Sequence, residues 1–156
     1  MPKIDISKAV IRTKGVYPQP YNSITDGREK AALGNLAGLT QFGVNLTRLK
    51  PGAASALRHW HEQEDEFIYV LEGELVLVED GGETVLRPGD CAGFKAGASN
   101  GHQLVNKSQR DAVYLEIGTR AATERAHYPD VDLVMERDAG GVRFLHKSGE
   151  PYPQES

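Results

Sequence analysis

The chain has 156 residues, enough for one domain with a full hydrophobic core, and its 39% hydrophobic and 26% charged residues exclude a disordered polypeptide. A net charge of −4 without any cluster of Lys and Arg excludes a general nucleic-acid binder. The single cysteine, Cys91, excludes an intrachain disulfide and a Cys-rich structural zinc site.

Residues 1–27 read as an irregular N-terminal arm. The stretch YPQPYNSITDG holds two prolines and several turn formers, which disfavours a long helix and leaves no place for a helix-turn-helix. The opening MPKIDISKAVIRTKG has scattered charge and no apolar h-region, and the longest apolar run, Phe67 to Leu71, is far short of a membrane span. A cytoplasmic protein without membrane contact is expected. Residues 28–35 are expected to form a first strand that turns at Gly34–Asn35. Residues 39–52 read as a strand ended by Pro51–Gly52.

EFIYVLEGELVLVEDGGETVLRPGDCAGF holds three short apolar runs. They are separated by Gly73 and by the hairpin signal Asp80–Gly81–Gly82, and Pro88–Gly89–Asp90 marks the next turn. Residues 102–106 and 112–118 read as two more strands. Strands at this even spacing predict an all-β sandwich or barrel over 28–118. The segment 119–156 reads as a C-terminal extension packing on that barrel. Its opening, TRAATERAH, is the best helical candidate in the chain, and its end is a candidate hairpin turning at Gly140–Gly141.

Residues 67–71 are apolar at every position, so this strand is expected to be covered on both faces. One face would line the barrel interior. The other, formed by Phe67, Tyr69 and Leu71, would need the arm, the tail or a second subunit, and a homodimer is the expectation.

The chemistry concentrates at LRHWHEQEDEFIYVLEGE, residues 57–74. Side chains at i and i+2 of a strand share a face, so His59 and His61 point one way and Trp60 the other. Glu66 follows a short acidic turn and can meet the two imidazoles across a hairpin, with Ile68 and Val70 beside it. His102 opens a later strand. His127 and His146 are expected to be ordinary surface histidines.

These residues resemble the two motifs of the cupin superfamily. The first reads here as Gly52, His59, His61, Glu66 and Gly73, and the second as Gly89, Asp90, Gly97, His102 and Asn106. Gly52 stands one residue further from His59 than is common, Lys95 replaces a usual proline, and two extra residues separate Gly97 from His102. The resemblance implies a double-stranded β-helix, or jelly roll. It also implies a divalent transition metal ion (zinc, iron, manganese or nickel) held by His59, His61, Glu66 and His102. The longer pattern is similar to that of a bacterial single-domain group often given provisional sugar-phosphate-isomerase labels.

Four protein ligands on an octahedral ion leave two open positions, unlike a closed structural site. Such a site suits a sugar-phosphate isomerase or epimerase, where the ion stabilises an enediolate. It equally suits a non-haem dioxygenase or a non-catalytic protein that holds a small ligand. Cationic candidates for a phosphate are Arg48, Arg58, Arg87 and Lys95. Alternation turns Arg58 away from His59, and Tyr69 away from Glu66. Lys95 and Asn100, in the loop before His102, are the expected substrate contacts.

Overall fold

In the computed structural model, which describes residues 2–154, Gly and Pro turns cut the chain into short antiparallel strands. The arm contributes a single 3₁₀ turn, Ile6–Lys8, and a two-residue strand β1 (Ile11–Arg12). Strand β2 (Arg28–Ala32) ends in a one-turn helix, Leu33–Leu36, where the sequence predicted a plain turn at Gly34–Asn35. Gly34 is buried there, and a Cβ on it would lie 3.3 Å from the Val44 amide nitrogen.

The strands that follow are β3 (Phe42–Leu49), β4 (Trp60–His61), β5 (Glu66–Glu72), β6 (Leu75–Glu79), β7 (Gly82–Leu86) and β8 (Cys91–Phe94). Then come β9 (His102–Val105), β10 (Ala112–Thr119), β11 (Glu124–Tyr128), β12 (Leu133–Asp138) and β13 (Gly141–Leu145). One six-stranded sheet has the order β1-β2-β3-β10-β5-β8. The other layer is built from β13-β12-β11-β4 and β7-β6-β9. These two pieces join where His59 and His102 exchange backbone hydrogen bonds at 3.1 and 2.9 Å. The result is the all-β jelly roll that the strand spacing and the motifs implied.

Between the layers lies a core of Leu49, Ile68, Val70, Leu75, Leu77, Leu104 and Tyr114. Each such side chain contributes about 1.5–3 kcal/mol through its burial. A second cluster joins Ala126, Tyr128, Leu133 and Met135 to Tyr17 and Tyr21 of the arm and to Leu57. The arm is therefore pinned across one end of the barrel. Gly73 makes the link from β5 to β6 with φ 73°, and a Cβ there would lie 2.5 Å from the Asp111 carbonyl oxygen. Only glycine satisfies both demands.

One expectation is corrected. TRAATERAH is not helical: its second half is strand β11, paired with β12 on one side and with β4 on the other. Glu124, Ala126 and Tyr128 point inward and Arg125 and His127 outward, a period of two that tertiary pairing selected over the helix propensity of alanine. Within the chain strand β5 is covered on its inner face only, which leaves the outer face for the second subunit expected there. Ile68 and Val70 are buried at 2% and 0%, whereas Phe67, Tyr69 and Leu71 remain about 40% exposed. The predicted last hairpin is present as β12–β13. No helix among the described residues is long and apolar enough to cross a membrane.

Asn106 stitches the loop that closes the barrel. Its fully buried side chain donates to the Leu49 and Arg110 carbonyls at 2.9 and 2.7 Å and accepts from the Ser108 amide at 3.0 Å. Truncation leaves buried carbonyls unpaired, a loss of about 2–3 kcal/mol. Urea unfolding of Asn106→Ala is expected to show this loss with an unchanged denaturant slope. A change within about 0.5 kcal/mol of wild type would contradict the role.

Candidate functional site

The backbone exchange between His59 and His102 is the hydrogen-bonded pair of an antiparallel ladder, so the two imidazoles leave the same face of the layer side by side. Their ring centroids are 4.6 Å apart, and the ring of His61, two residues along, is 4.8 Å from that of His59. Glu66 comes from the opposite sheet, at the start of β5, and reaches across the barrel. Its Oε2 lies 2.7 Å from His102 Nε2, 3.5 Å from His61 Nε2 and 3.8 Å from His59 Nε2. His59, His61 and Glu66 present ligand atoms within 4.8 Å of one another, and His102 joins them through the same carboxylate oxygen.

Neighbouring groups fix these rings. His59 Nδ1 lies 2.7 Å from the Leu57 carbonyl, which can only accept, so Nδ1 carries the proton and Nε2 presents a lone pair to the cluster. Phe94 stacks on His102 at 3.6 Å between centroids. Trp60, on the opposite face of β4, stacks on His127 at 4.3 Å. Burial alone would raise the Glu66 carboxyl, but its surroundings, the hydrogen bond from His102 first, outweigh it and hold the group well below the usual carboxylate range. Burial lowers His102. In His61 the same burial acts downward, but Glu66 outweighs it and the net shift is upward.

The cluster opens on a cavity of about 340 Å³. Ile68, Phe94 and Leu104 form apolar wall, and Tyr114 and Tyr128 add phenols that burial keeps protonated. The polar wall is cationic: Arg12 and Lys14 from the arm, Arg28 and Lys30 from β2, and Arg137 from β12. Lys30 pairs with Glu116 at 3.1 Å, Arg137 with Glu64 at 2.6 Å, and Arg28 donates to the Ser55 carbonyl at 2.6 Å. Arg12 and Lys14 have no acidic partner among the described residues.

The cations singled out from sequence lie elsewhere. Arg58 points away from His59, as alternation required, and clamps Asp80, Asp130 and the Gly101 carbonyl. Arg48 pairs with Asp111 and Arg87 with Glu74, both at half-exposed positions. Lys95 and Asn100 line a smaller cavity of about 220 Å³ that touches the rings of His61 and His102, together with Trp60 and Phe94. Asn100 donates to Glu79 and accepts from the Asp80 amide, which ties its side chain into the loop. His127 and His146 stand at the periphery, on Glu62 and Asp132 respectively. Sequence reasoning missed the arm cations, which no local pattern marks. It also missed Glu124, which the alternation of ERAHY places on the inner face.

A cupin-domain family model matches residues 45–118. The crystal structure of a sugar phosphate isomerase from the cupin superfamily of Silicibacter pomeroyi is 50% identical, with a TM-score of 0.94 over 97% of each chain. A structure from Acidithiobacillus ferrooxidans with a provisional sugar-phosphate-isomerase assignment is 27% identical, with a TM-score of 0.81 over 96% of this chain and 93% of its own. The oxalate-binding protein of Thermotoga maritima is 25% identical over 113 residues, which is 69% of this chain and 91% of the relative.

Proposed function

Because the chain belongs to the cupin superfamily, we propose that His59, His61, Glu66 and His102 hold one divalent transition metal ion (zinc, iron, manganese or nickel) and that the protein isomerises or epimerises a small phosphorylated sugar. One observation carries the reading: the imidazole–carboxylate cluster and the cations Arg12 and Lys14, which have no acidic partner among the described residues, line a single cavity. A ligand with a carbonyl or hydroxyl at one end and a phosphate at the other matches both. The sugar-phosphate-isomerase description of the 50% identical Silicibacter protein supports the same substrate class.

The donor set fits an ion. His59 Nε2 presents a lone pair to an ionised carboxylate oxygen 3.8 Å away, and a cation between them turns this repulsion into attraction. Donors on an ion with bonds of about 2.1 Å lie roughly 3 Å apart, close to the spacings around Glu66 Oε2. Nitrogen and oxygen donors together suit the borderline metals.

When bound, such an ion supplies positive charge beside a ligand oxygen on which negative charge develops. The remaining work falls to the chain. Arg12 and Lys14 attract the phosphate, and Arg28, Lys30 and Arg137 add to the positive field on that wall. The Tyr114 hydroxyl, buried without a partner, is a neutral donor available to a sugar oxygen. Ile68, Phe94 and Leu104 exclude water from the reacting end. The free thiol of Cys91 at an exposed position suits a reducing compartment, and we place the protein in the cytoplasm. The Thermotoga oxalate-binding relative favours a second reading, a non-catalytic protein that binds a small carboxylate on the same metal and cations.

Elemental analysis of freshly purified protein is expected to find close to one transition metal per chain. His59→Ala should lose most of it, and His146→Ala none. Full occupancy in His59→Ala would contradict the assignment of the site. Solvent deuterium should enter a sugar phosphate only with the metal-loaded protein. Tight oxalate binding without any exchange would transfer support to the second reading, and oxygen uptake coupled to turnover would indicate a dioxygenase.

We further propose a homodimer through the outer face of the six-stranded sheet. Phe67 and Tyr69 stand opposite Ile117 and Leu115 of β10, which stand opposite Val44 and Leu46 of β3, so one apolar face runs across three strands. The arm and tail that would otherwise cover it are packed elsewhere, with Tyr17, Tyr21 and Tyr152 against the Leu133 cluster. Sedimentation at micromolar concentration is expected to give twice the 17.0 kDa chain mass. A species at the chain mass would contradict the dimer.

A further inference from the structure

Glu124 is a buried acid that the site described above does not use. Its side chain is 0% exposed. Oε1 accepts three backbone N–H groups, from Glu62 at 3.0 Å, Gln63 at 3.1 Å and Arg125 at 2.7 Å. Those three bonds fix the orientation of the carboxylate. Oε2 has no hydrogen-bond partner. It faces His61 Nδ1 at 3.8 Å, and that nitrogen is equally buried and equally without a partner. A buried carboxylate oxygen and a buried imidazole nitrogen left unpaired side by side are each costly, and a small rotation of the ring brings them into hydrogen-bond range.

The other imidazoles show why His61 needs this partner. His59 has its tautomer set by the Leu57 carbonyl. His102 Nδ1 is also buried without a hydrogen-bond partner, but no carboxylate faces it among the described residues, and Phe94 holds that ring flat. His61 has no backbone carbonyl on its Nδ1, and Glu124 occupies that direction. His61, Glu64 and Glu124 are close enough to be considered as a separate metal-binding group. Their oxygens argue otherwise: Glu64 Oε2 takes Arg137 at 2.6 Å and the Ala121 amide at 2.9 Å, and Glu124 Oε1 is filled by amides. Each carboxylate is thus held through one oxygen, and the remaining oxygen of Glu124 faces the His61 imidazole.

We propose that Glu124 is a positioning residue for His61. Its Oε2 accepts the Nδ1–H of His61, which fixes the tautomer whose Nε2 lone pair faces Glu66. Anchoring of this kind holds a ligating imidazole in orientation and raises its basicity. The consequence for metal affinity rests on the metal reading given above; the hydrogen bond itself does not.

Glu124→Gln separates the possibilities. The glutamine carbonyl can still receive the three amide protons, but its NH₂ then points at His61 Nδ1. Two donors cannot share that position, so the imidazole proton must move to Nε2. Long-range ¹H–¹⁵N correlation spectra of the metal-free protein at alkaline pH report the His61 tautomer directly. The expected result is Nδ1–H in wild type and Nε2–H in Glu124→Gln. Chelator competition should show zinc affinity falling about 10–100-fold in the variant, with its metal-free melting temperature close to that of wild type. An Nε2–H tautomer in wild type overturns the proposal, whether or not the variant folds. Unchanged zinc affinity in the variant overturns it as well. If wild type itself takes up no zinc, the metal reading fails, and the tautomer comparison alone decides the role of Glu124.

Discussion

A carboxylate from one sheet meets three imidazoles from the other, and this contact sets what the rest of the barrel must do. Glu66 leaves β5 and the histidines leave the β4–β9 layer, so the site exists only if the two layers hold a fixed separation. The core between them supplies that constraint. Ile68 and Val70 continue the Glu66 face of β5 into the Leu49–Leu75–Leu104 cluster. Packing at near-crystalline density leaves little room for the layers to slide. The reciprocal backbone pair of His59 and His102 then places two of the rings side by side without any loop having to position them.

The acids around the centre are managed one by one. Glu64 has Arg137, Glu116 has Lys30 and Asn45, and Glu124 has three backbone amides. Glu66 alone has only imidazoles, which makes it the focus of the uncompensated charge. Among the described residues the cavity cations Arg12, Lys14 and Arg28 have no acidic partner, and the first two belong to the arm. The arm is thus part of the cavity, and its anchoring through Tyr17 against Tyr128 and Phe144 at 5.6 and 5.9 Å bears on ligand binding as much as on stability.

Much of this was legible in the sequence because it is local. The strands between residues 42 and 118 are marked by Gly and Pro turns, and the shared face of His59 and His61 follows from strand period. Glu66, expected to meet them across a hairpin, instead reaches them from the opposite sheet, because β4 pairs with β11 and β5 with β10 and β8. The convergence of His102 was legible only through motif resemblance, since a register between strands forty residues apart leaves no local mark. The arm cations and Glu124 were not legible, for two different reasons. Arg12 and Lys14 sit in a segment whose path is set by tertiary packing of aromatic residues. Glu124 lay in an alanine-containing stretch whose helix propensity masked its alternation, and pairing with β4 decided the outcome. The full apolar run of β5 implies cover on both faces, and within one chain only its inner face has it.

The account stands most directly on where an ion sits. Anomalous diffraction from crystals grown with zinc or manganese measures this without reference to activity. The account predicts a single strong peak per chain, at bonding distance from Nε2 of His59, His61 and His102 and from the Glu66 carboxylate, with its remaining positions open to the cavity lined by Arg12 and Lys14. A peak placed elsewhere, or a peak at this centre with His102 turned away from it, would contradict the account.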